Sequence, residues 1–546
     1  MLRLTEIKLE LEHSQEELIN AICFRLSIKP RDIINYKLFK RSYDARRSAM
    51  CWIYAIDVEI ANEKEILKNL FDSPHVNLAP DMTYKYVGQA PANLTERPLV
   101  VGFGPCGFFA ALILAQMGFK PIVLERGKEV RERTKDTWGL WRKNTLNPES
   151  NVQFGEGGAG TFSDGKLYSQ TRDPRYLGRK VIEEFLKAGA PEEIAYDNHP
   201  HIGTFRLVGM VEKIRETIIQ LGGEIRFEHK VSDVLIDETD GIRKLRGVVL
   251  TDGSEILSNH VVMALGHSSR DTFQMLFGRN VYIEAKPFSI GFRVEHPQSV
   301  IDTARLGKNA GHELLGAAEY RLVHHATNGR SVYSFCMCPG GTVVAAASEP
   351  GLLVTNGMSQ YSRNERNANS AIVVGITPED FPSNHPLAGI ELQRKLEANA
   401  FTLGGSDYTA PAQLIGDFML DKSSTKLGSV TPSYQPGVKL SNLTEALPKY
   451  AIEAIREAIP EFNKKIRGFS MKEAIFTGVE TRTSSPVRLK RDANSYESIN
   501  TKGLYPAGEG AGYAGGILSA GIDGIQVAEA VARSILGIPH SATTTK

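Results

Sequence analysis

The sequence predicts an α/β protein: a parallel-sheet core, interrupted by an inserted α+β domain and preceded by a small α+β module. Three observations predict it. An apolar strand, a G-x-G-x-x-G turn and an apolar helix follow one another in LVVGFGPCGFFAALILAQMGFKPIVLER (99–126). From Leu99 onward strand and helix patterns alternate, the signature of a parallel sheet. Near the C-terminus TKGLYPAGEGAGYAGGILSAGIDGIQVAEAVA (501–532) returns to strand, glycine-rich turn and helix.

The elements are taken in order. Residues 1–85 form the small module: a strand pattern over Leu2–Leu11, then a helix opening at Ser14 with Glu17 completing a capping box. Strand patterns at Tyr36–Phe39 and Cys51–Ile60 and a short helix over Glu63–Phe71 finish it. The segment YVGQAPANLTERP (86–98), with two prolines, reads as a linker. Residues 99–279 form the first part of the nucleotide-binding domain. Helices are expected over 175–188 and 206–221; the second carries Leu207, Val211, Ile214, Ile218 and Leu221 at helical spacing and ends on Gly222-Gly223. A meander follows: Ile225–Val231, Val248–Leu250, an Asp252-Gly253 turn and Glu255–Leu257. Residues 280–475 show lower regularity and read as an inserted substrate domain, and 476–546 complete the nucleotide-binding domain.

With 546 residues the chain has room for two to four domains. A net charge of +1 with 23% charged residues leaves no global field drawing it to nucleic acid or an anionic membrane. Its five cysteines, few and odd in number, argue against a secreted disulfide framework. The N-terminus has charges throughout and no apolar stretch of the signal-peptide kind. Residues 98–119 carry no charge, but Gly102, Gly104, Pro105, Gly107 and Gly118 make them a strand, a turn and a helix rather than a membrane span. The expectation is a cytoplasmic protein with no membrane partner.

The fingerprint is the strongest chemical signal. Gly102 serves the tight turn, Gly104 the approach of backbone to a pyrophosphate, and Gly107 close helix–strand packing; Phe103, Pro105 and Cys106 lie between them. The helix N-terminus then offers N–H groups and the positive end of its dipole to phosphate. Glu125 ends the next strand, where a carboxylate accepts from ribose hydroxyls, and Arg126 follows it. The tract NVQFGEGGAGTFSDGKLYS (151–169) places Gly158, Thr161, Asp164 and Lys166 in a loop suited to wrap a cofactor.

The C-terminal run resembles the flavin motif of glutathione-reductase-type flavoproteins, and this resemblance selects FAD over NAD. It implies that Gly508-Glu509 fills the Gly-acid position on the ribityl side, with Gly515, Gly516 and Ile517 at the turn whose helix faces the flavin; the family more often has Asp where Glu509 stands. GGEIRFEHKVSDVLI (222–236) resembles the strand whose backbone pairs with adenine, placing Val231 there. NHVVMALGHSSRD (259–271) resembles the short strand ending in a turn, here Ala264-Leu265-Gly266. The whole chain is similar to bacterial FAD-dependent dehydrogenases of the NAD(FAD)-utilising type, through GGAGTFSDGKL, SFCMCPGG, GVETRTSSPVR and PAGEGAGYAGGI. The implied fold is thus an FAD-binding Rossmann-like domain of the glutathione-reductase type.

Other candidates are weighed against plainer roles. Cys336 and Cys338 are either redox-active thiols facing the flavin or small core residues; on a regular strand they share a face. A metal site joining them to His324 and His325 lacks the usual ligand set, and no metal is expected. Arg482 and Arg488 would hold an anionic substrate or stabilise reduced flavin, unless they are paired structurally. Cys106 reads as packing, His267 as a lesser site candidate, and Asp164 and Lys166 as positioning groups. The basic stretch KLFKRSYDARRSAM, with Lys37, Lys40, Arg41, Arg46 and Arg47, sits in a module whose thirteen basic and thirteen acidic residues up to Thr95 cancel, so nucleic acid is an unlikely partner. The expected function is an FAD-dependent oxidoreductase passing a hydride between flavin N5 and an unidentified small molecule, anionic if Arg482 and Arg488 hold it, with NAD(P)H as a transient electron donor. The alternatives are an RNA-modifying flavoprotein that reads RNA with its N-terminal module, and a non-catalytic FAD-binding scaffold.

Overall fold

The computed structural model describes residues 1–44, 50–70, 73–169 and 171–539. Phe71, Arg46 and Arg47 therefore lie outside the described residues. The N-terminal module runs strand Leu2–Glu10, helix Gln15–Leu26, strands Ile33–Asp44 and Cys51–Ile60, helix Glu63–Asn69 and strand Val76–Leu78. Ser14 caps the first helix, and its box with Glu17 is formed in both directions. The strands pair antiparallel, with Cys51–Ile60 and Leu2–Glu10 central. Leu2, Leu4, Ile22, Ile56 and Val58 are fully buried beneath the helices.

The second unit is built on five parallel strands, in the order Leu504–Pro506, Val261–Met263, Leu99–Val101, Ile122–Leu124 and Glu224–Arg226. Its inner strands are short and wholly apolar, because both faces are covered. Val100, Val123 and Val262 point to the face carrying helices Pro105–Gln116 and Ile517–Leu536. Leu99, Val101, Leu124 and Val261 point to the opposite face. A three-stranded antiparallel sheet, Val231–Thr239, Ile242–Leu250 and Glu255–Leu257, covers that face. The stretch expected as one meander strand over Ile225–Val231 is divided. Glu224–Arg226 joins the parallel sheet, and the meander starts at Val231. Both pieces are half-apolar, so periodicity alone does not separate them.

The third unit is a seven-stranded, mainly antiparallel sheet. Strands Val323–His325, Ser331–Cys338, Asn367–Ile376, Phe288–Pro297, Ile475–Glu480, Ala410–Leu414 and Val438–Leu440 lie side by side in that order. The segment expected to be irregular thus contains two ten-residue strands, Phe288–Pro297 and Asn367–Ile376. Nearly every residue of both is buried, so neither shows the alternation that marks a half-exposed strand. The sheet's strand Ile475–Glu480 runs past the boundary expected at 475. Helices Ala388–Gly404 and Lys449–Lys465 bury Leu392, Leu396, Ile455 and Ile459 in its main core. Among the described residues no helix is long and apolar enough to cross a membrane.

Candidate functional site

A cavity of about 250 Å³ lies where the parallel sheet meets the seven-stranded sheet. The turn after Leu99–Val101 forms one wall with Gly102, Phe103, Gly104, Pro105 and Cys106. Gly102 has φ +97°, and a Cβ there would lie 2.6 Å from the Ala264 carbonyl oxygen, so neither conformation nor space admits a side chain. Gly158 packs directly against Gly104 in the cavity wall; a Cβ on Gly158 would sit 2.9 Å from the Gly104 Cα. Two backbones bared in this way form a cradle for a group that must approach closely. Two helix N-termini, at Pro105 and Ile517, open onto the same space, where the N–H groups and dipoles favour negative charge.

The remaining expected contacts sort by depth. Glu125, Arg126, Asp164, Lys166, Val231, Ala264, Gly266, Glu509 and Gly516 also line the cavity. Four others stand behind its walls. Gly107 packs on Gly102, since a Cβ there would fall 1.9 Å from the Gly102 carbonyl oxygen. Thr161 is buried beneath Gly157. Gly508 donates its N–H to Asp523 at 2.7 Å. Gly515 donates to Ser519 at 3.0 Å and faces a neighbouring vestibule instead.

Several of these groups are occupied. The Glu125 carboxylate accepts backbone N–H groups from Phe103, Gly127 and Gly155, at 2.8, 2.9 and 3.0 Å. It braces the fingerprint turn as well as facing the cavity. Arg126 pairs bidentately with Asp271, at 2.9 and 3.0 Å, and lies 4.0 Å from the Phe154 ring centroid. Asp164 is held by Arg363 through two hydrogen bonds, at 3.0 and 2.6 Å. Lys166 donates to the Met337 carbonyl. Burial would lower its pKa, but Asp164 and the two neighbouring thiols hold it above the ordinary value. Burial pushes Glu509 up to about 7, with Lys286 opposing. Burial, then Arg482 and Arg270, drives His267 down to about 3, so its imidazole is neutral.

The arginine expectations need correction. Arg482 reaches the wall, but its guanidinium is spent: Nε and Nη2 donate to Glu397 at 3.0 and 2.8 Å, and Nη1 to Ser268 and Ser348 at 3.0 and 2.6 Å. It has no fork left for an anion. Arg488 is not in the wall; it donates to the Gly512 carbonyl at 3.3 Å and lies 5.6 Å from the Tyr513 ring centroid. Cys336 is in the wall, and Cys338 is fully buried behind it. His324 bonds Glu457 at 2.9 Å and His325 bonds Ser331 at 3.0 Å, and neither is gathered with the cysteines.

Sequence reasoning passed over Phe335 and Glu480, which the seven-stranded sheet contributes to the wall, and Asn356, which comes from strand Thr355–Ser359 of a separate two-stranded sheet. It also missed Arg293, which supports them: its guanidinium grips Glu480 at 3.0 and 3.1 Å and Asn369 at 3.0 Å. The available signal was an arginine and a glutamate inside the apolar run FSIGFRVEH (288–296). Charges there must be paired.

Residues 287–483 match the family described as FAD-dependent protein, C-terminal domain-like, and residues 1–59 match a domain of unknown function. Over 530 residues the chain is 49% identical to an uncharacterized protein of Clostridium beijerinckii, covering 97% of this chain and 98% of that one. The chain belongs to that protein's family. FAD is its cofactor, as the matched family's FAD dependence and the glycine cradle between two helix N-termini agree. Solved structures resemble the chain distantly. A flavoprotein/dehydrogenase from Cytophaga hutchinsonii is 12% identical over 82% of this chain and 80% of its own, with a TM-score of 0.36. The L-amino acid deaminase from Proteus myxofaciens, in complex with anthranilate, is 12% identical over 84% and 93%, with a TM-score of 0.35. At those scores the likeness carries no argument about this chain.

Proposed function

We propose that this protein is an FAD-dependent oxidoreductase of the glutathione-reductase-type fold, acting on a small uncharged molecule. One observation carries the reading: a single cavity gathers the fingerprint turn, the C-terminal Gly516-Ile517 turn, and Phe335, Cys336 and Glu480 from the seven-stranded sheet. Bound there, FAD supplies hydride-level, two-electron chemistry at its isoalloxazine. Gly102, Gly104 and Gly158 leave room for the diphosphate, and the helix starting at Pro105 faces its charge. Val231, Arg126 and Phe154 supply the adenosine end, Gly516 and Ile517 the flavin end. Glu509, whose Oε1 stands 4.0 Å from the neutral His267 Nε2, offers a proton store on the ribityl side.

A second space, of about 740 Å³, adjoins the cavity through Phe335 and Thr483. We read it as the substrate vestibule. Its polar lining is mostly hydroxyl: Thr483 donates to the Ser289 carbonyl at 3.1 Å, and the Ser289 and Tyr333 hydroxyls bond each other. Its arginine, Arg330, is neutralised by two bonds to Asp380, at 2.5 and 2.6 Å. With Arg482 committed to Glu397 and Arg488 outside this lining, nothing in it favours an anion. The RNA-reading alternative is disfavoured because the N-terminal module is docked on the nucleotide-binding unit through Arg41–Asp197 and Phe39–Arg179 contacts.

The test pairs two glycines. A Cβ on Gly104 meets the Gly158 backbone at ordinary distances, 3.6 Å from its Cα and 4.0 Å from its N, whereas a Cβ on Gly102 collides with backbone. Gly104→Ala is therefore expected to fold with the melting temperature of flavin-stripped wild type yet purify with little flavin. Gly102→Ala is expected to lose both. Stoichiometric FAD in Gly104→Ala would place the cofactor elsewhere. Anaerobic addition of NADH, NADPH and neutral alcohols to the yellow wild type then identifies the donor, and reoxidation of the bleached protein by neutral enones an acceptor; inertness to all of them supports a scaffold instead.

A further inference from the structure

We propose that Cys336 and Cys338 are a redox-active dithiol that exchanges two electrons with the bound flavin and serves small-molecule disulfides or dithiols entering by the vestibule. The inference rests on the FAD reading above and names a reactant class for it.

The placement begins with the backbone. Strand Ser331–Cys338 pairs with Asn367–Ile376, with Phe335 opposite Ala371 and Cys338 opposite Asn369. Three residue steps on one strand thus oppose two on the other, which is a β-bulge. A regular strand would hold Cα atoms two residues apart at about 6.6 Å, the upper end of what a disulfide spans. The bulge breaks that regular spacing. Cys336 takes φ +46°, a left-handed conformation that costs a non-glycine residue about 1–3 kcal/mol.

That conformation is held by donors from three directions. Arg293 donates to the Cys336 carbonyl at 2.9 Å, and the Cys338 thiol donates to the same oxygen at 3.3 Å. Lys166 donates to the carbonyl of Met337, the residue between the cysteines. The consequence of that conformation is an asymmetry: Cys336 lies in the cavity wall, and Cys338 lies fully buried behind it. An accessible thiol with a buried neighbour is the arrangement of an attacking and a resolving cysteine. The electrostatics agree. The hydrogen bond with Cys338 favours the Cys336 thiolate over the opposing effect of burial, and Arg293 and Lys166 add to it, while the Cys338 thiol is pushed up. Phe335, beside Cys336, is shared by the cavity and the vestibule, so a reactant at the vestibule's inner end is one residue from the accessible sulfur.

The exchange balances. In forming one S–S bond the two thiols release two electrons and two protons, which oxidised flavin takes up in becoming reduced. In reverse, reduced flavin returns them and the S–S bond opens. An incoming disulfide is then cleaved by Cys336 thiolate, which expels one substrate thiolate and forms a mixed disulfide. Cys338 attacks the Cys336 sulfur and expels the second, so that one S–S bond forms as another breaks.

The test has two arms on the FAD-loaded protein. After oxidation with diamide, intact mass should fall by two hydrogens, and alkylation mapping in denaturant should find Cys336 and Cys338 protected; the same result is expected after flavin is stripped. Under anaerobic dithiothreitol, wild-type flavin should bleach roughly tenfold or more faster than in Cys336→Ser or Cys338→Ser at equal flavin content. Both thiols remaining alkylatable after diamide would overturn the proposal, as would equal bleaching in the wild type and the Ser variants. Should a Ser variant not fold, Cys336→Ala takes its place, and the wild-type mass still decides the first arm. Colourless wild-type protein would defeat the FAD reading alone, because the disulfide is measured without flavin.

Discussion

Glu397 shows what single residues are asked to do around this cavity. Its fully buried carboxylate accepts from Arg270 at 2.5 and 3.1 Å, from Arg482 at 3.0 and 2.8 Å, and from Thr481 at 2.8 Å. Burial would raise its pKa, but the two guanidiniums overcome that and hold it near 2, against an ordinary value of 4.5. Glu397→Gln leaves two buried cations short of their counter-charge. Urea unfolding should report a loss of about 3–5 kcal/mol. The sign with pH follows, because the folded pKa is depressed. This carboxylate's stabilisation is complete above pH 4.5 and is lost as pH falls toward 2. Wild-type melting temperatures should therefore fall more steeply across that window than those of Glu397→Gln. Glu125 invites a second residue-scale test. Read from the sequence it is a ribose acceptor; in the fold it also satisfies three buried N–H groups. Glu125→Ala orphans all three and should cost about 3 kcal/mol or more even in flavin-free protein. A variant as stable as wild type when stripped of flavin would mean the carboxylate serves the cofactor only.

At the scale of elements, the cavity depends on two helices crossing closely enough for both N-termini to face it. Helix Pro105–Gln116 meets Ile517–Leu536 where a Cβ on Gly524 would lie 2.3 Å from the Cys106 carbonyl oxygen. Backbone cannot yield as a flexible side chain does, so Gly524→Ala must push the helices apart. The expected cost is about 1–3 kcal/mol, with flavin content falling alongside the melting temperature. An unchanged melting temperature would show that the crossing tolerates the methyl. How much of this was legible depends on which elements carry their own signal. The fingerprint strand, turn and helix were readable because each glycine answers a local need and the flanking runs are wholly apolar. The strand Asn367–Ile376 was not, since burial on both faces erases alternation. Nor was the bulge at Cys336, because a bulge exists only relative to the partner strand that supplies Asn369 and Ala371. The arginines were misjudged for a similar reason: TGVETRTSSPVR contains no trace of Glu397, which reaches Arg482 from a helix far away in the chain.

Over the whole molecule, the N-terminal module is docked on the nucleotide-binding unit, but among the described residues it contributes nothing to the cavity, whose lining begins at Val101. The docking joins two kinds of contact. Main-chain bonds link Arg41 to Tyr196 at 2.6 Å and Asn198 to Arg41 at 2.9 Å, and the Arg41 side chain pairs with Asp197 at 2.8 Å. Beside them the Arg3 and Arg179 guanidiniums lie over the Phe39 ring, at 3.4 and 4.2 Å from its centroid. The ion pair is partly exposed and adds little. The aromatic contact is worth about 0.5–1 kcal/mol per cation, plus the ring's burial. Phe39→Ala should therefore loosen the module locally without unfolding it. Amide exchange across Ile33–Asp44 is expected to accelerate roughly tenfold, while flavin content and the exchange of Leu99–Val101 stay as in the wild type. If flavin were lost with the ring, the module would be part of the machinery that holds the cofactor. If exchange stayed slow, the main-chain bonds to Tyr196 and Asn198 would be sufficient for docking on their own.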